Sequence, residues 1–406
     1  MNTKFKIGVL KETKTPPDKR VALPPMQALE LTKRFPDVEV FVQPSDIRCY
    51  KDSEYESIGI KLKDDLSDCD LLLGVKEVKI PYLVDNKSYL FFAHVAKKQP
   101  HNQKLIQAIA KQGITLLDHE YLTDKNGVRL VAFGHWAGVV GAYNALRARG
   151  VKTNRYYLPA AHQCHDYKEL VGELRKVRLD PKKILITGGG RVANGALEIF
   201  KAINLKEVSP EDFLNKEFSE PVICRIDPWH YAKRKDGKSF DWNYWVQSPM
   251  EHESTFLPFA KVTDILVACH YWDFRSPVFF TKEDMVKPDF RISIVADISC
   301  DIPGPIPSTL RASTIADPFF DYNPTTDKEE PAFSGKGNVT VMSIDNLPGE
   351  LPRDASEDFG KTLVEKVFPH FLCGDCEGVI ERATILKNGK LTERYGYLQA
   401  YLDGKE

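Results

Sequence analysis

The sequence predicts an α/β fold of two doubly wound domains with an interdomain cleft, on three observations. Short apolar runs alternate with longer amphipathic stretches, the pattern of mostly parallel strands joined by helices. The runs fall into two series separated by one stretch of small and apolar residues. A glycine-rich turn stands between a strand and a helix near the start of the second series. No period of roughly 20–50 residues marks a repeat architecture.

In the first series Phe5–Leu10, Val38–Val42, Leu71–Val75, Tyr89–Val95 and Ile114–Leu117 read as strands. Pro24–Arg34 and His101–Gln112 read as the intervening helices. Phe133–Arg149 (FGHWAGVVGAYNALRAR) is long and small-residue-rich enough for a buried helix crossing between domains. The second series is Ile184–Thr187, Val222–Ile226, Ile265–Cys269, Ile292–Ile298 and Val339–Ile344, each bounded by Pro, Gly or charged residues. Arg234–Ser254, polar and aromatic, reads as a surface excursion. The tail after Pro348 reads as mainly helical and packing back on the first domain.

Composition narrows the function. At roughly 150 residues per domain, 406 residues allow two or three domains. Lys plus Arg number 56 against 57 Asp plus Glu, a net charge of −1, which argues against a general nucleic-acid or membrane-surface binder. No apolar run reaches the roughly 18–20 residues that span a bilayer. The stretch Met1-Asn-Thr-Lys-Phe-Lys-Ile-Gly lacks the apolar core of a signal peptide, so a soluble cytoplasmic protein is expected, monomeric or a small homo-oligomer. Eight cysteines are too few for a disulfide framework, and Cys69, Cys224, Cys269 and Cys300 lie in or beside apolar runs. Cys373-Gly-Asp-Cys376 has CxxC spacing, but neither a second pair nor a nearby His completes a zinc set, and no metal is expected.

The most informative segment is Lys182-Lys-Ile-Leu-Ile-Thr-Gly188-Gly189-Gly190-Arg191-Val192-Ala193, followed by a helix pattern over Val192–Ile203. Gly188 permits a tight turn, Gly190 lets the backbone approach a pyrophosphate, and Ala193 allows close helix–strand packing. The phosphates would lie over the amides of the helix N-terminus. This predicts a Rossmann-like dinucleotide site. Asp227, after the next strand, would accept hydrogen bonds from ribose hydroxyls and favour NAD; Arg225 and Lys233-Arg234-Lys235 could hold a 2′-phosphate, so NADP stays open. The predicted division is residues 1–135 as a Rossmann-like substrate domain, with 345–406 packing back on it, and 136–344 as the dinucleotide-binding domain.

Ligands of open α/β sheets bind beyond the carboxyl ends of the strands. The first-domain strands end in Lys11-Glu12-Thr13-Lys14 with Lys19-Arg20 beyond, in Lys76-Glu77, in His94 with Lys97-Lys98, and in Asp118-His119-Glu120. Such a cluster in a neutral protein suits a substrate with several carboxylates. Lys76 leaves a buried strand among cations, which lowers an ammonium pKa and makes a base near neutral pH. His94 is a second proton carrier.

These segments carry a resemblance. Gly8-Val-Leu-Lys-Glu-Thr-Lys14 with Arg20-Val-Ala-Leu-Pro-Pro resembles the alanine dehydrogenase and transhydrogenase superfamily. Leu72-Leu-Gly-Val-Lys76, Phe91-Phe-Ala-His94, Leu117-Asp-His-Glu120, Arg129-Leu-Val-Ala-Phe-Gly-His-Trp-Ala-Gly, Ala296-Asp297-Ile-Ser and Met342-Ser-Ile-Asp345-Asn-Leu-Pro-Gly resemble the lysine-forming saccharopine dehydrogenases and the lysine–2-oxoglutarate reductase domain of bifunctional enzymes. The resemblance implies reversible NAD(P)-dependent oxidation of saccharopine to L-lysine and 2-oxoglutarate. It implies Lys76 and His94 as the acid–base pair, and Lys14, Arg20, Lys97 and Arg129 as cations near substrate carboxylates. It gives Glu120 a part in setting the lysine pKa. Cys269, Asp297 and Asp345 fall on the cofactor side. A cysteine of the fungal turn is replaced by Val192, so a disulfide from the turn to Cys269 is impossible. Asn204–Glu220 and the region Trp229–Trp245 resemble the reductase domain, which prefers NADP, against the reading of Asp227. Two other readings stand beside this one: an alanine or other opine-type dehydrogenase, and an NAD(P)-binding regulatory protein without turnover.

Overall fold

The structure is a computed structural model and describes residues 4–180 and 182–405; the first three residues of the amino-terminal stretch lie outside them. Its contacts divide the chain into two units. One holds the residues up to Phe133 together with those from Pro352 onward, and the other is Gly134–Leu351.

In the first unit β1 (Phe5–Val9), β2 (Val38–Val42), β3 (Lys61–Leu62), β4 (Leu71–Leu73), β5 (Ser88–Phe91) and β6 (Thr115–Asp118) are parallel, in the order β3-β2-β1-β4-β5-β6. Ile7, Val9, Val42, Leu71, Leu72, Leu73 and Leu90 are buried, as expected of strands covered on both faces. The helix Pro25–Arg34 starts with Pro at its first position and ends on Lys33 and Arg34, which suits its dipole. Its Ala28 and Leu31 share a core with Phe359, Leu363 and Val364 of the helix Pro352–Lys366. The strand order reverses between β1 and β4, a switch point where open sheets bind ligands.

The tail is mainly helical, as expected, and also adds a short strand pair. Thr384–Lys387 is a strand, antiparallel to β6 with Thr384 opposite Leu117, and Lys390–Leu391 closes that edge. Two of the expected strands also stop early. Leu71–Val75 ends at Leu73 because the amides of Val75 and Lys76 donate to the Glu12 carboxylate, at 2.7 and 2.9 Å. Tyr89–Val95 ends at Phe91, with the amides of Ala93 and His94 both 3.2 Å from Asp118 Oδ2.

In the second unit the strands are β7 (Lys183–Thr187), β8 (Lys206–Glu207), β9 (Val222–Ile226), β10 (Ala232–Arg234), β11 (His252–Ser254), β12 (Ile265–Ala268), β13 (Ile294–Asp297), β14 (Phe320–Asn323), β15 (Lys328–Glu330) and β16 (Val339–Met342). The main sheet runs β15-β14-β16-β13-β12-β7-β9-β8, parallel except at β14 and β15. The helix Gly134–Thr153 packs against the helix Arg191–Ala202, where a methyl on Gly138 would run into the Val192 carbonyl and one on Gly195 into that of His135. Close approach therefore depends on these two glycines as well as on buried Ala193. The region read as a surface excursion is mostly exposed, but β10 and β11 form a two-stranded sheet there and Trp245 and His252 are buried. Aromatic residues there pack on one another, Trp245 edge-on to His252 at 4.9 Å.

Candidate active site

Parallel register brings four strand ends of the first unit to one edge: Val9 pairs with Leu73, Leu73 with Leu90, and Phe91 with Asp118. The residues that follow, Lys11–Lys14, Lys76–Glu77, His94 and Glu120, therefore emerge together. Phe92 continues the pairing with its amide 3.0 Å from the Val75 carbonyl, so Lys76 and His94 leave adjacent strands.

Lys76 is half-buried, and its ammonium makes no hydrogen bond or ion pair among the described residues. Burial, then the Arg20 and Lys14 cations, push its pKa down to about 8, against the pull of Asp18 and Glu77. Beside it, Glu77 Oε1 lies 2.6 Å from His94 Nδ1, and Glu77 Oε2 lies 3.3 Å from Lys14 Nζ. Burial alone would raise Glu77; the hydrogen bond from His94 and the nearby charges of His94 and Lys14 outweigh it and bring the carboxyl down to about 2. An ionised carboxylate only accepts, so Nδ1 of His94 carries the hydrogen, leaving Nε2 to exchange protons. His94 holds φ at +54°, a left-handed backbone that few non-glycine residues adopt, with its amide on Asp118.

The other cations are paired with protein carboxylates. Arg20 is buried and bidentate on Asp18, at 3.0 and 2.6 Å, with its guanidinium 4.3 Å from the Phe133 ring. Burial alone would raise Asp18; Arg20 holds it well below the usual carboxylate range. Lys97 and Arg129 both reach Glu120 Oε1 at 2.7 Å. The leading charges on Lys76 are Arg20, Lys14, Asp18 and Glu77, and Glu120 gathers Lys97 and Arg129. Burial raises Glu12 to about 7 and Asp118 to about 6. Glu12, Asp18, Glu77 and Asp118 escaped the sequence reading as site residues. Their only signal was acidic residues among strand-end cations.

In the second unit Gly188 has φ +91°, and a Cβ there would come 2.8 Å from the Cys269 carbonyl oxygen. A Cβ on Gly189 would come 2.6 Å from Arg225 Nη1 and 2.7 Å from Asp227 Oδ1. Gly190, which precedes the helix Arg191–Ala202, faces open space. A turn kept bare of side chains at a helix N-terminus, beside an acid at the end of the next strand, fits a dinucleotide phosphate and ribose. Asp227 is buried and paired with Arg225 at 2.7 Å. The Asp297 carboxylate is buried and accepts from Ser299 Oγ at 2.6 Å and Thr309 Oγ1 at 2.8 Å, so it ties down the loop after β13. Cys269 is buried with its thiol pKa pushed up by burial, and Asp345 is exposed after β16. His370 stands closer to the Cys373–Cys376 pair than the sequence reading allowed, 3.6 Å from Asp375, yet no metal-holding group of three forms among the described residues. No helix among them is long and apolar enough to cross a membrane.

Comparison with known proteins bears on this arrangement. Residues 8–140 match the family described as alanine dehydrogenase/PNT, N-terminal domain. The mitochondrial alpha-aminoadipic semialdehyde synthase of Rattus norvegicus is 32% identical over 439 residues, 96% of this chain and 47% of its own length. Its counterpart from Arabidopsis thaliana is 29% identical over 437 residues, 97% of this chain and 41% of its own. The chain thus spans less than half the length of these two relatives. The saccharopine dehydrogenase (NAD(+), L-lysine-forming) of Neurospora crassa is 27% identical over 364 residues, 85% of this chain and 86% of its own. Among solved structures, an L-alanine dehydrogenase has a TM-score of 0.65 at 15% identity, covering 99% of this chain and 100% of its own. A transhydrogenase from Sinorhizobium meliloti has 0.58 at 17%, covering 95% and 98%. These two likenesses concern the fold.

Proposed function

We propose that the chain interconverts saccharopine with L-lysine and 2-oxoglutarate, using a nicotinamide dinucleotide, because residues 8–140 match the alanine dehydrogenase/PNT N-terminal domain and nearly the whole chain is similar to alpha-aminoadipic semialdehyde synthases. The observation that carries the reading is Lys76 and His94, two proton carriers leaving adjacent strands, with the Glu77 carboxylate bound to His94.

A bound dinucleotide supplies the hydride acceptor, and Gly188–Gly190, the amides of Arg191 and Val192, and Asp227 would hold it. The protein's own groups handle protons and carboxylates. With a pKa of about 8, Lys76 is a base in an appreciable fraction of molecules at neutral pH, able to take a proton from the substrate amine or from attacking water. His94, turned by Glu77 so that Nε2 is available, can protonate the departing amine and recover the proton in reverse. Saccharopine carries three carboxylates. Lys97 keeps two of its three donors beyond the one on Glu120, and Lys14, Arg20 and Arg129 complete a positive field.

The choice of NAD is part of the proposal and rests on Asp227, whose carboxylate beside Gly189 would accept from ribose hydroxyls and repel a 2′-phosphate. The test is oxidation of NADH and of NADPH by the chain with lysine plus 2-oxoglutarate, beside pyruvate plus ammonia. Oxidation only with lysine and 2-oxoglutarate supports the reading. Turnover of pyruvate and ammonia alone, or none in any mixture, overturns it.

A further inference from the structure

Beyond the ends of β1, β2 and β4 the first unit holds an open hollow of about 390 Å³, large enough for a small molecule. Its wall includes Lys11, Glu12, Ser45, Asp46, Lys79 and Tyr82. It lies on the switch-point side of Lys76, joined to it through Glu12, which lines the hollow and holds the Lys76 amide at 2.9 Å. Lys14 lines it too and reaches Glu77. The Lys79 amide and ammonium are tied to Thr13 Oγ1 and Thr15 Oγ1 at 3.1 and 3.0 Å, which fixes that wall.

Two groups on this wall are uncommitted. Among the described residues the Lys11 ammonium and the Asp46 carboxylate make no hydrogen bond or ion pair, whereas the Lys14 and Lys79 ammonium groups on the same wall are tied to Glu77 and Thr15. One positive and one negative group, exposed and without a protein partner in one hollow with hydroxyls between them, complement a ligand carrying both signs.

We propose that this hollow takes the α-ammonium and α-carboxylate of an amino acid, Asp46 receiving the ammonium and Lys11 the carboxylate. The inference rests on the proposed reaction in naming that amino acid as the lysine portion of the substrate, whose four-carbon chain would run from the hollow toward Lys76. The cations around Glu120, on the far side of His94, are then left to the dicarboxylate portion. Substrate specificity for lysine over shorter amines follows from the head group being held away from the reacting nitrogen.

The experiment measures equilibrium binding of L-lysine, 6-aminohexanoate (no α-ammonium) and cadaverine (no carboxylate) to the full chain and to Lys11→Gln, Lys11→Arg and Asp46→Asn, with KM for lysine and 2-oxoglutarate alongside. Expected is a weakening of lysine binding by about tenfold in Lys11→Gln and Asp46→Asn, with Lys11→Arg close to the unsubstituted chain. Asp46→Asn should leave 6-aminohexanoate unaffected, and Lys11→Gln should leave cadaverine unaffected. KM for lysine should rise while KM for 2-oxoglutarate holds. Turnover with unchanged lysine affinity in both charge-removing variants overturns the site and leaves the proposed reaction standing. Lysine binding weakened as expected, without lysine-dependent oxidation of either dinucleotide, overturns the reaction and leaves the site standing.

Discussion

Glu77 Oε1 lies 2.6 Å from His94 Nδ1, and the same carboxylate reaches Lys14 with its other oxygen. The imidazole is thereby fixed in one tautomer and one orientation. A ring held only by packing could turn and present Nδ1 instead. Glu77→Gln should therefore lower turnover by roughly 10–100-fold, the usual loss when a partner that orients a functional His is removed. Steady-state kinetics of the variant check this, and unchanged turnover would take Glu77 out of the site.

Lys76→Met should lower turnover by about a hundredfold or more. In the direction of saccharopine oxidation, where the lysine acts as base, activity of the unsubstituted chain should rise as pH approaches and passes about 8. The same substitution has a signed effect on stability. The folded pKa lies below the ordinary value of 10.5, so the unfolded chain binds more protons between about 8 and 10.5 and stability rises with pH across that window. Replacing the ammonium by a thioether removes that cost, so Lys76→Met should melt higher than the unsubstituted chain at pH 7 and lose the advantage by pH 10.5.

Asp18→Asn leaves the Arg20 guanidinium buried without its carboxylate and should cost about 3–5 kcal/mol, read from urea unfolding at pH 7. Because the native carboxyl is held below the ordinary value, the pair stabilises fully above the unfolded pKa and fades as pH falls through the native one. The gap between variant and unsubstituted chain should narrow under strongly acid conditions.

Gly138→Ala and Gly195→Ala each put a methyl against a carbonyl of the facing helix. Overpacking of this kind costs typically about 1–3 kcal/mol. Since the displaced helix begins at the Gly190 turn, the prediction couples stability to cofactor: NADH binding should weaken in both variants, while Gly172→Ala, where a methyl meets open space, should change neither.

Asp227→Ala removes the acid beside Gly189 and leaves Arg225 unpaired there. The ratio of kcat/KM for NADH over NADPH should fall. An unchanged ratio would take Asp227 out of the cofactor site.

Much of this was legible in the chain, for identifiable reasons. Strand positions follow from local apolar runs, and all site lysines and His94 sit where a run ends. The glycine turn is also local, three consecutive residues between strand and helix. What escaped was long-range pairing. Glu12 is 63 residues from Val75, and Asp118 is 25 from Ala93, yet each carboxylate ends a strand by taking two amides. Nothing near Lys14, Lys97 or Arg129 in sequence announces the carboxylate that binds it. In Arg234–Ser254 the buried Trp245 and His252 were not legible, because no alternation marks which face is inward.

The strand Thr384–Lys387, seated on β6, gives the chain an order of assembly. On a ribosome, Gly134–Leu351 is synthesised whole and can fold while the unit before it still lacks a covering helix and an edge. Until Thr384–Lys387 emerges, β6 offers bare amides and carbonyls to any passing strand. The unit that carries Lys76 and His94 is closed only by residues beyond 380, so a chain cut short there should be lost to aggregation before it could be lost to inactivity.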